Sequence, residues 1–158
     1  MGFGSAGLTF FDPVARALIE ADASAEIKER THTKEAPMTI AVDFDGVIHA
    51  YSRGWHDGSI YDPPLPGALE GLRALMQHDA VFVFTSRNTE QVANWLFEQG
   101  EFNITWEPPG ETNCEFWNDR DRILITNRKL PATAYLDDRA VRFANWDQAL
   151  ADLLPAGN

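Results

Sequence analysis

The stretch TIAVDFDGVI, residues 39–48, decides the expected fold of this chain. Its first half is β-branched and apolar, which is typical of a strand buried in a sheet. Asp43 and Asp45 follow directly, and Gly46 lets the backbone turn sharply after them. Because acids seldom end a buried strand, we expect this end of the strand to be part of a site.

From this strand to the C-terminus, segments of strand type and helix type alternate. Further strands are expected at 80–84, 103–106, 122–126 and 133–138, and helices at 66–78, 88–100 and 145–154. The last helix is expected to turn Trp146, Leu150 and Leu153 or Leu154 inward. The alternation predicts an α/β fold, a three-layer α/β/α sandwich around a central, mainly parallel sheet.

Composition and charge exclude several classes of function. The formal net charge of −11 disfavours binding to nucleic acid and to anionic membranes. No run of about 18 apolar residues is present, so we expect no membrane span. The N-terminus lacks the early positive charge and long apolar core of a secretory signal. The lone Cys114 cannot form an internal disulfide. We therefore expect a cytoplasmic protein.

Residues 1–37 differ from the rest and are interpreted as an appended arm. The arm begins with several glycines, has a helical pattern over 13–30, and ends in a polar linker at Pro37. A docking role and a homo-oligomer contact both stay open for it. The catalytic domain is expected to span residues 38–158.

Polar side chains follow three of the apolar runs, at the point where each predicted strand ends. They are Asp43 and Asp45, then Thr85, Ser86 and Arg87, then Asp137, Asp138 and Arg139. Lys129 precedes the last strand. In a parallel sheet, ligands bind beyond the carboxyl ends of the strands. These residues are therefore expected to share one crevice.

Four converging carboxylates raise one another's pKa values, and a divalent cation removes that cost. Mg²⁺ favours carboxylate oxygens and often completes its ligand shell with a substrate phosphate. One carboxylate of such a site could attack phosphorus, and the other could protonate the leaving alcohol and then deprotonate water. The chemistry predicts Mg²⁺ as cofactor and a small phosphorylated molecule as substrate.

Four motifs in this order resemble those of the haloacid dehalogenase (HAD) superfamily of phosphohydrolases. They are IAVDFDGVI (40–48), FVFTSR (82–87), Lys129 and YLDDR (135–139). The resemblance covers about residues 39–154. It implies a HAD-like Rossmannoid fold and a Mg²⁺-dependent phosphatase that forms an aspartyl-phosphate.

The resemblance also implies a role for each matching residue. Asp43 corresponds to the nucleophile and metal ligand, and Asp45 to the general acid/base, with its backbone carbonyl on the metal. Lys129 corresponds to the lysine that compensates the nucleophile and phosphate charges. Asp137 corresponds to a direct metal ligand and Asp138 to a second one, directly or through water.

The candidate substrate-binding residues are Thr85, Ser86, Arg87 and Gly46. Thr85 corresponds to the family's phosphate-binding hydroxyl. Gly46 is expected to free backbone amides for phosphate oxygens. Ser86 could instead cap the next helix, and Arg87 could instead form ion pairs in the acidic crevice.

The aromatic segment 49–65 is expected to form a small flap over the site, with no large cap domain. Its Tyr51, Trp55, His56 and Tyr61 could contact a leaving group or only pack the flap onto the core. Two alternatives stay open. One is a nucleotide or polynucleotide-end phosphatase of the same superfamily, and the other is a non-catalytic phosphate-binding or regulatory module on the same fold.

Overall fold

A five-stranded sheet forms the centre of the part of the chain that the computed structural model describes, residues 38–111 and 114–154. The strands are β1 (Thr39–Asp43), β2 (Ala80–Phe84), β3 (Ile104–Trp106), β4 (Ile123–Thr126) and β5 (Ala134–Leu136). Their order across the sheet is β3-β4-β2-β1-β5, and every neighbouring pair is parallel. The predicted α/β class with a parallel sheet is confirmed.

The chain divides into two units, Met1–Ala36 and Pro37–Asn158. The helix predicted over 13–30 and the open oligomer role of the arm lie outside the described residues. The same holds for residues 155–158, at the end of the expected catalytic domain.

Three helices accompany the sheet within the described ranges: α1 (Ala68–His78), α2 (Thr89–Gly100) and α3 (Trp146–Leu153). Helix α2 begins where the Asn88 side chain accepts a hydrogen bond from the Gln91 N–H. Of the helices in this part of the chain, none combines the length and the apolarity that crossing a bilayer requires.

Helices α1 and α2 cover the same face of the sheet. The connections β1–α1–β2 and β2–α2–β3 advance across the sheet in one direction, and right-handed crossovers of that kind place their helices together. Leu72 of α1 and Leu96 of α2 accordingly share one buried cluster with Val42 and Val83.

The opposite face is covered by irregular chain between β3 and β5. Phe82 and Leu124 from the sheet form a second buried cluster with Leu130, and Trp117 packs against it. The Thr39 hydroxyl donates to the Trp117 carbonyl oxygen at 2.7 Å, which fixes this segment beside β1.

The predicted inward face of the last helix is wrong. Trp146 is 71% exposed, and Leu150, Leu153 and Leu154 are exposed as well. Of the α3 residues only Ala149 is buried. Helical spacing shows which residues share a face, but it carries no information about whether another element covers that face.

The strand register places the polar strand ends side by side. β1 lies between β2 and β5, Asp43 pairs with Phe84, and Val42 pairs with Leu136. The next residues along the neighbouring strands are therefore Thr85 and Asp137. This is the edge of the sheet at which the sequence placed the site.

Candidate functional site

Three aspartates form a cluster at this edge, and we call them the aspartate cluster. Each of Asp43, Asp137 and Asp138 offers a carboxylate oxygen, and these oxygens all lie within 4.8 Å of one another. Asp43 is half-buried at the end of β1, while Asp137 and Asp138 are exposed after β5. The structure thus brings together three of the four acids that the sequence named.

Gly46 allows this close approach. Its φ is +83°, a backbone conformation that residues other than glycine rarely adopt. A Cβ at this position would lie only 2.4 Å from Asp138 Oδ2. The Gly46 N–H donates to the His49 carbonyl oxygen at 2.9 Å. This amide is engaged within its own loop, and the binding of phosphate by other amides that the turn frees stays a prediction.

Mutual repulsion and burial act on Asp43. Its pKa is raised to about 6, first because burial disfavours the charged form and then because Asp137, Asp138 and Asp45 are nearby negative charges. The Phe44 N–H, which donates to Asp43 Oδ1 at 2.7 Å, opposes the rise. A bound cation would remove the repulsion, and three carboxylates are donors that hard divalent cations prefer.

The Asp45 carboxylate lies outside the aspartate cluster. Arg87 Nε donates to its two oxygens at 2.7 and 3.0 Å, and His49 Nδ1 lies 2.8 Å from Oδ1. The Asp45 side chain is only 16% exposed. All these contacts use Asp45 as an acceptor. The backbone carbonyl of Asp45 as a metal ligand stays a prediction.

Arg87 forms the ion pair that was one of its two expected roles. Besides Asp45, its guanidinium donates to the Gly58 carbonyl oxygen at 2.6 Å and lies 4.7 Å from the centre of the Trp55 ring. Its second terminal nitrogen is buried and has no hydrogen-bond partner among the described residues. Arg87 therefore joins the strand end to the flap, and its role in substrate binding stays a prediction.

The loop after β2 is held by its own hydrogen bonds. The buried Thr85 hydroxyl accepts from the Arg87 N–H at 3.1 Å, and the Ser86 side chain is exposed. Asn127 Nδ2 donates to the carbonyl oxygens of Thr85 and Arg87 at 2.6 and 2.8 Å. Sequence reasoning missed Asn127, although its position directly after β4 was an available signal.

Lys129 is exposed and lies apart from the aspartates. Its ammonium is 5.1 Å from the centre of the Tyr135 ring, and no ion pair joins it to a carboxylate of the described residues. The neighbouring Arg128 is bonded to Glu107. The expected compensation of the Asp43 charge by Lys129 stays a prediction, and it requires the flexible lysine stem to turn.

The flap over 49–65 is a closed loop. Its ends are joined by bonds from the Ala50 N–H to the Pro63 carbonyl at 3.1 Å and from the Leu65 N–H to the Ile48 carbonyl at 2.7 Å. Trp55 is 49% exposed on its surface. Sequence reasoning assigned no role to His49, which lies at the base of the flap. Its position four residues after Asp45, across a glycine turn, was the usable signal.

Comparison with protein-family models, with curated proteins and with solved structures gave no match. The similarity to the HAD superfamily therefore rests on the four motifs quoted above.

Proposed function

We propose that the chain is a Mg²⁺-dependent phosphatase that hydrolyses a phosphate monoester through an aspartyl-phosphate on Asp43. The aspartate cluster carries the proposal, because it places a half-buried carboxylate of raised pKa against Asp137 and Asp138. A HAD-like, three-layer arrangement and a cytoplasmic location belong to the same proposal.

Asp43, Asp137 and Asp138 are the side chains that would hold the metal. Burial and then the neighbouring carboxylates raise the pKa of Asp43, and a divalent cation would offset the repulsion between these carboxylates. When bound, Mg²⁺ supplies positive charge to the substrate phosphate oxygens and orients the phosphoryl group for in-line attack.

Asp43 and Asp45 would carry out the two bond-breaking steps of phosphate ester hydrolysis. A carboxylate oxygen of Asp43 forms a bond to phosphorus while the bond to the leaving oxygen breaks, and that oxygen takes a proton from Asp45. Asp45 then removes a proton from water, whose oxygen attacks phosphorus and releases Asp43. Asp45 accepts hydrogen bonds from Arg87 through both carboxylate oxygens, as a general base in the second step would. Thr85 and Lys129 are the proposed phosphate contacts.

Hydrolysis of p-nitrophenyl phosphate with and without Mg²⁺ tests the proposal. We expect Mg²⁺-dependent turnover in the wild type and a fall of about 10⁴-fold or more in Asp43→Asn, since the nucleophile is lost. Asp119→Asn is the matched control because Asp119 lies outside the aspartate cluster. Retained turnover in Asp43→Asn contradicts the proposal.

A nucleotide is a second candidate substrate, favoured by the aromatic surface beside the site. Trp55 is half exposed over Arg87, and the Tyr51 ring has the Arg87 and Arg139 guanidiniums each 5.6 Å from its centre. A planar base could stack on such a surface. Higher kcat/KM for nucleoside monophosphates than for sugar phosphates, lost in Trp55→Ala, is the expected result.

The non-catalytic module is distinguished by chelation. Removal of Mg²⁺ with EDTA should stop turnover if the chain is an enzyme. A regulatory module would show no turnover to lose.

A further inference from the structure

Two side chains connect Asp45 to the flap. His49 and Arg87 each bond the Asp45 carboxylate on one side and a flap backbone group on the other. The orientation of Asp45 and the position of the flap are therefore joined by two separate bridges.

The hydrogen bonds of His49 indicate which ring nitrogen donates and which accepts. The Asp62 backbone N–H lies 3.0 Å from Nε2, and because an amide N–H can only donate, Nε2 must accept. The ring proton is then on Nδ1, which donates to Asp45 Oδ1 at 2.8 Å. His49 is fully buried. Its ring neighbours are Phe44, Tyr51, Tyr61 and Trp95.

Arg87 makes the second bridge from a different element. Arg87 Nε donates to both carboxylate oxygens of Asp45. Its terminal nitrogen Nη1 donates to the Gly58 and Ser59 carbonyl oxygens at 2.6 and 3.3 Å. Gly58, Ser59 and Asp62 all belong to the second half of the flap. Turning Asp45 would break bonds to both His49 and Arg87, and lifting the flap would withdraw their other partners.

We propose that His49 is a positioning residue that couples the orientation of Asp45 to closure of the flap. In its catalytic sense this inference rests on the proposed function, because Asp45 must face the leaving oxygen to protonate it. His49 acts only through Asp45 and contacts no reacting atom. The carboxylate is held for proton transfer while the flap is closed.

The dependence of the rate on the leaving group tests the positioning role. A p-nitrophenolate ion leaves without a proton, whereas an alkoxide requires one. In His49→Phe, which keeps an aromatic ring and removes both bonds, we expect kcat/KM for alkyl phosphates to fall about 10- to 100-fold. For p-nitrophenyl phosphate we expect a fall of no more than about threefold, since its departure needs little proton transfer.

His49→Asn is the rescue variant, because its amide nitrogen can occupy the place of Nδ1 and donate to Asp45. It should recover part of the alkyl phosphate rate. His78→Phe is the control, at the end of α1. An equal fall for all esters, or no fall, overturns the inference. If His49→Phe does not fold, His49→Asn and His49→Gln decide it, since the Asn amide nitrogen matches the position of Nδ1 beside Asp45 and the longer Gln side chain places its amide nitrogen near the position of Nε2.

Hydrogen exchange tests the coupling without any turnover. In Asp45→Asn, an amide NH₂ replaces an oxygen that faces donors from His49 and Arg87. We expect faster exchange of amides at 52–62, by about tenfold, than in the wild type and in Asp119→Asn. Unchanged exchange in this segment contradicts the coupling. An inactive wild type with the expected exchange refutes the proposed function and leaves the structural coupling supported.

Discussion

Glu107 and Asp43 are acids with opposite surroundings. Glu107 is 4% exposed, accepts from Arg128 at 2.9 and 3.1 Å and from the Cys114 N–H at 3.2 Å, and is bonded to the Thr126 hydroxyl. Asp43 instead faces two further carboxylates. A carboxylate surrounded by donors stabilises the fold, whereas carboxylates gathered against one another do not. This difference is why we propose the aspartate cluster as a cation site.

The Glu107 network also accounts for Cys114. Burial and then the nearby Glu107 charge raise the pKa of the Cys114 thiol, so the thiol keeps its proton and is a weak nucleophile. The Cys114 carbonyl accepts from Arg128. The cysteine is part of the bonded loop.

Substitution of the two acids should have opposite effects on stability. Glu107→Gln should lower the free energy of unfolding by about 2–4 kcal/mol, because it leaves the partly buried Arg128 charge without its partner. Asp43→Asn should raise the stability of metal-free protein at pH 7, because it removes a repelled charge. Urea unfolding measures both. Destabilisation by both substitutions contradicts the comparison.

Gly46→Ala tests how closely the aspartate cluster depends on its turn. The new Cβ would collide with Asp138 and the positive φ would be strained, so we expect a loss of about 1–3 kcal/mol in stability. Calorimetry should show Mg²⁺ affinity at least about tenfold weaker. Gly71→Ala is the control, since a Cβ at Gly71 meets no atom within 4 Å and φ is ordinary there. Undiminished Mg²⁺ affinity in Gly46→Ala would show that Asp138 is not needed.

The pH dependence of stability sharpens the comparison further. Unfolded Asp43 loses its proton near pH 3.8, while in the folded chain it holds that proton to about pH 6. Between these values the folded state binds more protons, so the Asp43 contribution lowers stability as pH rises from about 4 to 6. Thermal unfolding of metal-free protein should show a steeper decline in the wild type than in Asp43→Asn. Saturating Mg²⁺ should reduce that difference.

The smallest effect is expected on the exposed face of α3. Trp146→Ala should change the stability by less than about 0.5 kcal/mol, because the side chain makes little buried contact. Leu72→Ala, in the buried cluster under α1, should cost about 2–5 kcal/mol by comparison. A large loss in Trp146→Ala would indicate that something covers this face in solution.

The sequence predicted the sheet and the location of the aspartates because both depend on local pattern. Apolar runs identified β1, β2 and β5, and parallel strands bring their ends to one edge. Strand ends alone could not show that the Asp45 carboxylate is bonded by Arg87 and His49, since that depends on the path of the flap.

Other features of the site and the fold depend on contacts between residues, which the spacing of residues in the sequence does not predict. The Gly46 N–H donates to the His49 carbonyl oxygen because the loop folds back on itself after the end of β1. The alternating pattern of the strand does not extend to this loop. Lys129 lies over Tyr135, and a motif position does not specify the rotamer of a long side chain. The exposed face of α3 likewise depends on neighbours and not on its own periodicity.

The most direct test of the account is calorimetric titration of the metal-free chain with Mg²⁺. We expect one bound ion per chain in the wild type and in Glu107→Gln, and at least about tenfold weaker binding in Asp43→Asn and Asp137→Asn. Absence of binding in the wild type, or binding that survives loss of Asp43 and Asp137, would contradict the claim that the aspartate cluster is a cation site.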